Sequence, residues 1–140
     1  MKRPMLFAFA LFSTGLALGG AGARSLAAAQ QAAQPTRTML ITVLLPELPG
    51  KEMRMWLTDL PGGGATTKHS HPGHLVGYLI DGTMSHQVEG QPAREFKAGT
   101  AWEEHPGEVH VGANASKTAR ARLIAAGLYD IGAPLSNPAP

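Results

Sequence analysis

The 140-residue chain contains no cysteine. Disulfide cross-links, thiol chemistry and thiolate metal ligation are therefore excluded, and an exported form would need a closed β architecture or a bound metal in their place. Charge is sparse: 12 basic and 10 acidic residues give a formal balance of +2. No basic stripe appears, which argues against nucleic-acid binding. Phosphate loops, Walker-type lysines and a Ser-His-Asp arrangement are absent as well. From Thr36 onward there is no helix-length amphipathic window, and no internal repeat.

The first residues predict a secretory signal peptide over 1–29. Lys2 and Arg3 precede an uncharged apolar stretch from Met5 to about Leu18, and Ala21-Gly22-Ala23 and Ala27-Ala28-Ala29 offer cleavage sites. That apolar stretch is short for a bilayer span. Cleavage after Ala29 would remove Lys2, Arg3 and Arg24 and no acid, taking the formal balance from +2 to −1. The basic pI thus belongs to the export signal, and the expected location is periplasmic or secreted, with no membrane attachment after cleavage. Roughly 110 residues would remain, enough for one core and too few for two. Residues 30–37 predict a flexible leader, 38–131 a single barrel, and 132–140, with Pro134, Pro138 and Pro140, an extended surface tail.

Within the domain, short segments are cut by glycine and proline. Residues 39–45 form a β-rich apolar run ended by Pro46. Residues 52–60 alternate, with Met53, Met55 and Leu57 against Arg54, Trp56 and Thr58. A buried-looking strand over 76–80 closes at Asp81-Gly82, a turn dipeptide. Residues 83–89 place Met84, His86 and Val88 on one face. Segments 93–97, 101–104, 108–112 and 120–129 supply the remaining strands. Many short strands between turns imply an all-β sandwich or barrel.

All six histidines lie between His69 and His110. His69 and His71 are separated by one residue, so on a strand their side chains share a face about 7 Å apart along the backbone. His110, delivered by a different strand after the Pro106-Gly107 turn, would complete a three-nitrogen set with room for water or substrate. Further candidates line the expected interior. His86 shares its face with Met84 and Val88, either as a pocket group or as a core histidine bonded to backbone. Glu104 points inward if Trp102 does, where a carboxylate needs a metal, a cation or a hydrogen-bond network; otherwise it turns to solvent. His74 could reach the site from its loop as a fourth ligand. His105 is expected at the barrel mouth, and Tyr78, Trp56 and Trp102 in core or pocket walls.

These segments carry a family resemblance. Residues 63–82 resemble the first cupin motif, a glycine, five residues, His-x-His and a closing glycine. Residues 99–114 resemble the second, with Gly99, Gly107, His110 and Asn114 in place. The resemblance implies a double-stranded antiparallel β-helix, a jelly-roll barrel, whose histidines His69, His71 and His110 bind one divalent transition metal: Fe, Mn, Ni, Cu or Zn. Two positions depart from the pattern. Leu75 stands where the ligand glutamate is usual, and His105 replaces the first proline of the second motif.

A three-histidine set without that carboxylate resembles the set in some thiol and diketone dioxygenases of the superfamily. It implies a metal-dependent oxygenase acting on a small organic substrate. Alternatives are a metal-assisted lyase or isomerase, in which His86 or Glu104 moves a proton, and a non-catalytic periplasmic binder of a metal or small ligand. Related cupins commonly exchange N-terminal strands, so the apolar run over 39–45, an exposed edge outside the motif barrel, predicts a homodimer.

Overall fold

A computed structural model describes residues 34–140, and the expected signal peptide lies outside the described residues. Ten strands follow one another without an intervening helix: β1 (Thr36–Leu44), β2 (Lys51–Leu60), β3 (His69–Ser70), β4 (His74–Asp81), β5 (Thr83–Val88), β6 (Arg94–Lys97), β7 (Ala101–Glu104), β8 (His110–Asn114), β9 (Ala121–Asp130) and β10 (Asn137–Pro138). They form two five-stranded antiparallel sheets, ordered β1-β2-β9-β4-β7 and β10-β3-β8-β5-β6. This is the all-β architecture expected from the alternating segments and their turns, in the double-stranded β-helix form that the family resemblance implies.

Period-two alternation sorts each strand into an inner and an outer face. Along β9, Ala121, Leu123, Ala125, Gly127 and Tyr129 are buried and the residues between them half-buried. In β2 the inward face is the more polar one: Glu52, Arg54, Trp56 and Thr58 are buried, and Met53 is 38% exposed. The two buried charges pair, which offsets part of their desolvation cost: the Arg54 guanidinium donates twice to Glu52 and lies 4.7 Å from the centre of the Tyr129 ring. In β4 it is Leu75, Gly77 and Leu79 that point inward. Tyr78, expected in a wall, is instead 48% exposed on the outside.

Both ends of the domain depart from the sequence reading. Strand β1 begins at Thr36, inside the expected leader, and pairs with β2 along its whole length. The segment after 131 is more than a surface tail. Arg54 Nη1 donates to the Ala133 carbonyl at 2.7 Å, Ala133 and Leu135 pack against the core, and β10 pairs with β3. Backbone groups, which carry no side-chain signature, make most of these contacts.

Candidate metal centre

The two sheets enclose a cavity between β3, β8 and β5 on one side and β7 on the other. His69 and His110 are direct cross-strand partners, and His71 follows immediately after β3. The chain from β7 to β8 turns at Gly107, which adopts φ +78° and donates its N–H to the His71 carbonyl at 2.8 Å. A left-handed residue is needed there, and glycine adopts it without steric cost. The three rings are buried, with centroids 4.5–5.4 Å apart. Their ligand atoms lie within 4.8 Å of one another, a cluster that could hold a divalent metal.

Each imidazole is oriented by a backbone carbonyl. Nδ1 of His69 donates to Thr67 at 2.7 Å, Nδ1 of His71 to Leu135 at 2.6 Å, and Nδ1 of His110 to Glu108 at 3.0 Å. A proton committed to Nδ1 leaves a lone pair on Nε2, so the three Nε2 atoms are acceptors turned into the cavity. The supporting carbonyl of Leu135 comes from the segment that the sequence reads as a surface tail.

Opposite the rings stands Glu104, 6% exposed. Its Oε2 lies 3.2 Å from His110 Nε2 and 3.6 Å from His71 Nε2, and makes no hydrogen bond. Its Oε1 accepts from the Trp102 indole at 2.9 Å and lies 3.2 Å from His86 Nε2, which is itself without a hydrogen bond. The indole is placed by Gly77, its cross-strand partner: a Cβ on Gly77 would sit 2.3 Å from the Trp102 ring.

Glu104 is also the cross-strand partner of Leu75. The carboxylate that the first motif lacks is therefore present one strand over, on the same inward face. His74 takes no part in this cavity. Alternation along β4 turns it away from Leu75 to the outer face, where its side chain is 51% exposed, so it cannot be the fourth ligand. His86, Glu104 and His110 form a second buried group that shares His110 with the first.

The electrostatics favour a cation. Burial holds the His69 imidazole down to about 4 and lowers that of His71, so both rings are neutral at pH 7. Burial opposes ionisation of Glu104, but His86, His110, Trp102 and His71 together pull its carboxyl down to about 2. An ionised carboxylate with an unpartnered oxygen thus faces the neutral His71 ring in a buried space, which is costly without a positive charge between them. Three nitrogen donors and a carboxylate with one unpartnered oxygen fit a divalent transition ion.

One cation does reach the cavity, and sequence reasoning missed it. Arg37 on β1 places Nη2 3.0 Å from His69 Nε2 and donates Nη1 to Ser136 at 3.3 Å. The only available signal was β alternation extended two residues before the apolar run. With Trp56, Trp102, Met84 and Leu123, Arg37 lines a cavity of about 40 Å³.

The family model described as the cupin domain matches residues 56–127. No curated protein matches the sequence. Among solved structures, the chain resembles the DMSP lyase DddQ from Ruegeria pomeroyi DSS-3, at 16% identity and TM-score 0.55, covering 61% of this chain and 42% of that one. It resembles a recombinant oxalate oxidase in complex with glycolate at 20% identity and TM-score 0.53, covering 69% and 55%. A cupin-like protein from Thermotoga maritima is 24% identical, with TM-score 0.56 and 75% of each chain covered. The chain therefore spans about half the length of the first two, and at these identities the likeness shows the fold alone.

Proposed function

The chain belongs to the cupin domain family, and from that premise we propose that it is an exported metal-dependent enzyme, an oxygenase acting on a small organic anion. One observation carries the reading: His69, His71 and His110 each bring a ligand nitrogen within 4.8 Å of the others, and a buried Glu104 oxygen with no partner lies 3.2 Å from His110 Nε2 and 3.6 Å from His71 Nε2. We assign these four residues as the ligands of one divalent ion. Such an ion supplies Lewis acidity and, if redox-active, electron transfer between substrate and O₂. A carboxylate beside three imidazoles suits iron or manganese as well as the softer zinc and copper.

The remaining residues bear on the substrate. Arg37 is the only lysine or arginine lining the cavity among the described residues, and its guanidinium would bind and orient a carboxylate. A water occupies about 10–15 Å³ of such space. A cavity of about 40 Å³ therefore limits the substrate to a few heavy atoms unless the walls move. Trp56, Trp102 and Leu123 exclude bulk water from it.

A specific observation favours a second reading, a metal-assisted lyase or isomerase. His86 lines the cavity with a buried Nε2 that makes no hydrogen bond, as a proton-transfer group would. The fold does not choose, since a lyase and an oxidase both appear among its structural relatives. Oxygen uptake by the Fe(II)- or Mn(II)-loaded protein with a panel of small carboxylic acids separates the two. Substrate-dependent uptake supports the oxygenase. Turnover that persists without oxygen supports the lyase or isomerase, and neither with any acid favours a non-catalytic binder.

The homodimer belongs to this proposal. Every residue of β1 is exposed, and Met53, Val76 and Tyr78 continue an apolar surface over the outer face of the same sheet. Light scattering of the processed protein at micromolar concentration should give twice the chain mass; a monomer would count against it.

A further inference from the structure

Glu103 and Glu104 occupy opposite faces of β7, and the outer one has its own pair of histidines. Along β4, Val76 is opposite Glu103, so His74 is one diagonal step from it on the outer face. His105 follows Glu103 by two residues and shares its side. The result is an external cluster. His74 Nε2 lies 3.5 Å from Glu103 Oε2, His105 Nε2 lies 3.9 Å from Glu103 Oε1, and the two rings are 4.9 Å apart at 61°.

We propose that His74, Glu103 and His105 form a second, solvent-accessible site for a divalent transition metal, separate from the buried centre. Two donors bound tetrahedrally to one zinc at about 2.0–2.1 Å are roughly 3.4 Å apart. The two nitrogen-to-carboxylate distances, 3.5 and 3.9 Å, are close to that separation, and all three ligand atoms lie within 4.8 Å of one another. Small side-chain rotations bring them onto one ion, with water completing the shell.

Three features distinguish the cluster from a chance meeting of surface side chains. The backbone under each residue is held, His74 and Glu103 by the β4–β7 ladder and His105 by a turn in which its carbonyl accepts from Glu108 N–H at 3.0 Å. Among the described residues no lysine or arginine pairs with Glu103; both of its ion-pair partners are these histidines. Finally, Glu103 and His105 border a cleft of about 140 Å³ that extends to His86 and Trp102. Two imidazoles and one carboxylate suit Zn(II), Cu(II) or Ni(II). Side-chain exposures of 51–64% make the site weaker and more exchangeable than the buried one.

Zn(II) titrated calorimetrically into metal-free full-length protein should bind in two classes of one ion each per chain. In His74→Ala/His105→Ala the weaker class disappears while the tighter class and the melting temperature are retained. In His110→Ala the tighter class is lost and the weaker one stays. The expected loss in Glu103→Gln is at least tenfold in the weaker affinity. A weaker class that survives His74→Ala/His105→Ala, or a wild-type protein that binds only one zinc, overturns the proposal. Ring-proton NMR gives an independent check: substoichiometric Cu(II) added to zinc-loaded protein should broaden the His74 and His105 signals first, and uniform broadening of all histidines would count against the site.

Discussion

Replacing Glu104 with leucine tests the carboxylate's role without demanding a new fold. An ion that binds only the folded state adds about 2.7 kcal/mol when its free concentration is 100 times Kd. For a folded unit of roughly 100 residues, each kcal/mol moves Tm by about 4–8 °C, so loading should raise the wild-type Tm by roughly 10–20 °C. Loss of a residue that merely supports a ligand costs about 10–100-fold in affinity, and loss of a ligand costs at least the upper figure. At the same metal concentration the Glu104→Leu variant then sits near its Kd. The increment falls to about 0.4 kcal/mol, or roughly 2–3 °C. The metal-free variant should melt close to wild type. It loses the acceptor of the Trp102 N–H, a cost of about 1–3 kcal/mol, and is relieved of a buried anion.

Adding Leu75→Glu to that variant returns a carboxylate to the facing position, about 4.5–5.5 Å away between Cβ atoms, on the same inward face. At least a tenfold recovery of affinity is expected. Differential scanning fluorimetry across a metal series reads both effects. A Glu104→Leu protein that keeps the full metal-induced rise in Tm would refute the assignment of Glu104 as a ligand.

His86→Leu should leave metal content nearly unchanged while lowering turnover; if plasma emission analysis shows an emptied site, His86 is a ligand, and if neither changes it is a core residue. Gly77→Ala should push the Trp102 ring out of place, costing about 1–3 kcal/mol in urea unfolding and weakening metal binding about 10–100-fold through the lost support of Glu104. The metal-free protein should lose stability on acidification, because unfolded His69 takes up a proton near 6.5 and the folded residue only near 4. Stability therefore rises with pH across that window, and Glu104, held at about 2 against an ordinary 4.5, extends the loss further into acid. Urea midpoints measured from pH 7 to pH 3 read this directly, and a midpoint independent of pH would contradict it.

The ligand spacing was legible because it is local. His69 and His71 are related by strand alternation, and His110 follows a Pro-Gly turn that only glycine forms freely. Alternation also turned Glu104 inward with Trp102, but its meeting with the imidazoles depends on the β4–β7 register, which no single segment encodes. His74 was misleading for the same reason: one residue from the motif's glutamate position means the opposite face. The inward face of β2 was hidden because Glu52 and Arg54 make an outward reading chemically reasonable until their mutual pairing is seen. Arg37 and the Leu135 carbonyl lay outside the expected barrel, one in a presumed leader and one in a presumed tail. Both act through long-range contacts, Arg37 with a residue 32 positions away and Leu135 with one 64 positions away.

Anomalous diffraction from crystals loaded with a single divalent metal tests the central claim most directly. The expected map has its strongest peak inside the barrel, about 2.0–2.2 Å from the Nε2 atoms of His69, His71 and His110 and from one Glu104 oxygen, with Arg37 displaced from His69. A saturated crystal with no peak between those four side chains would contradict it.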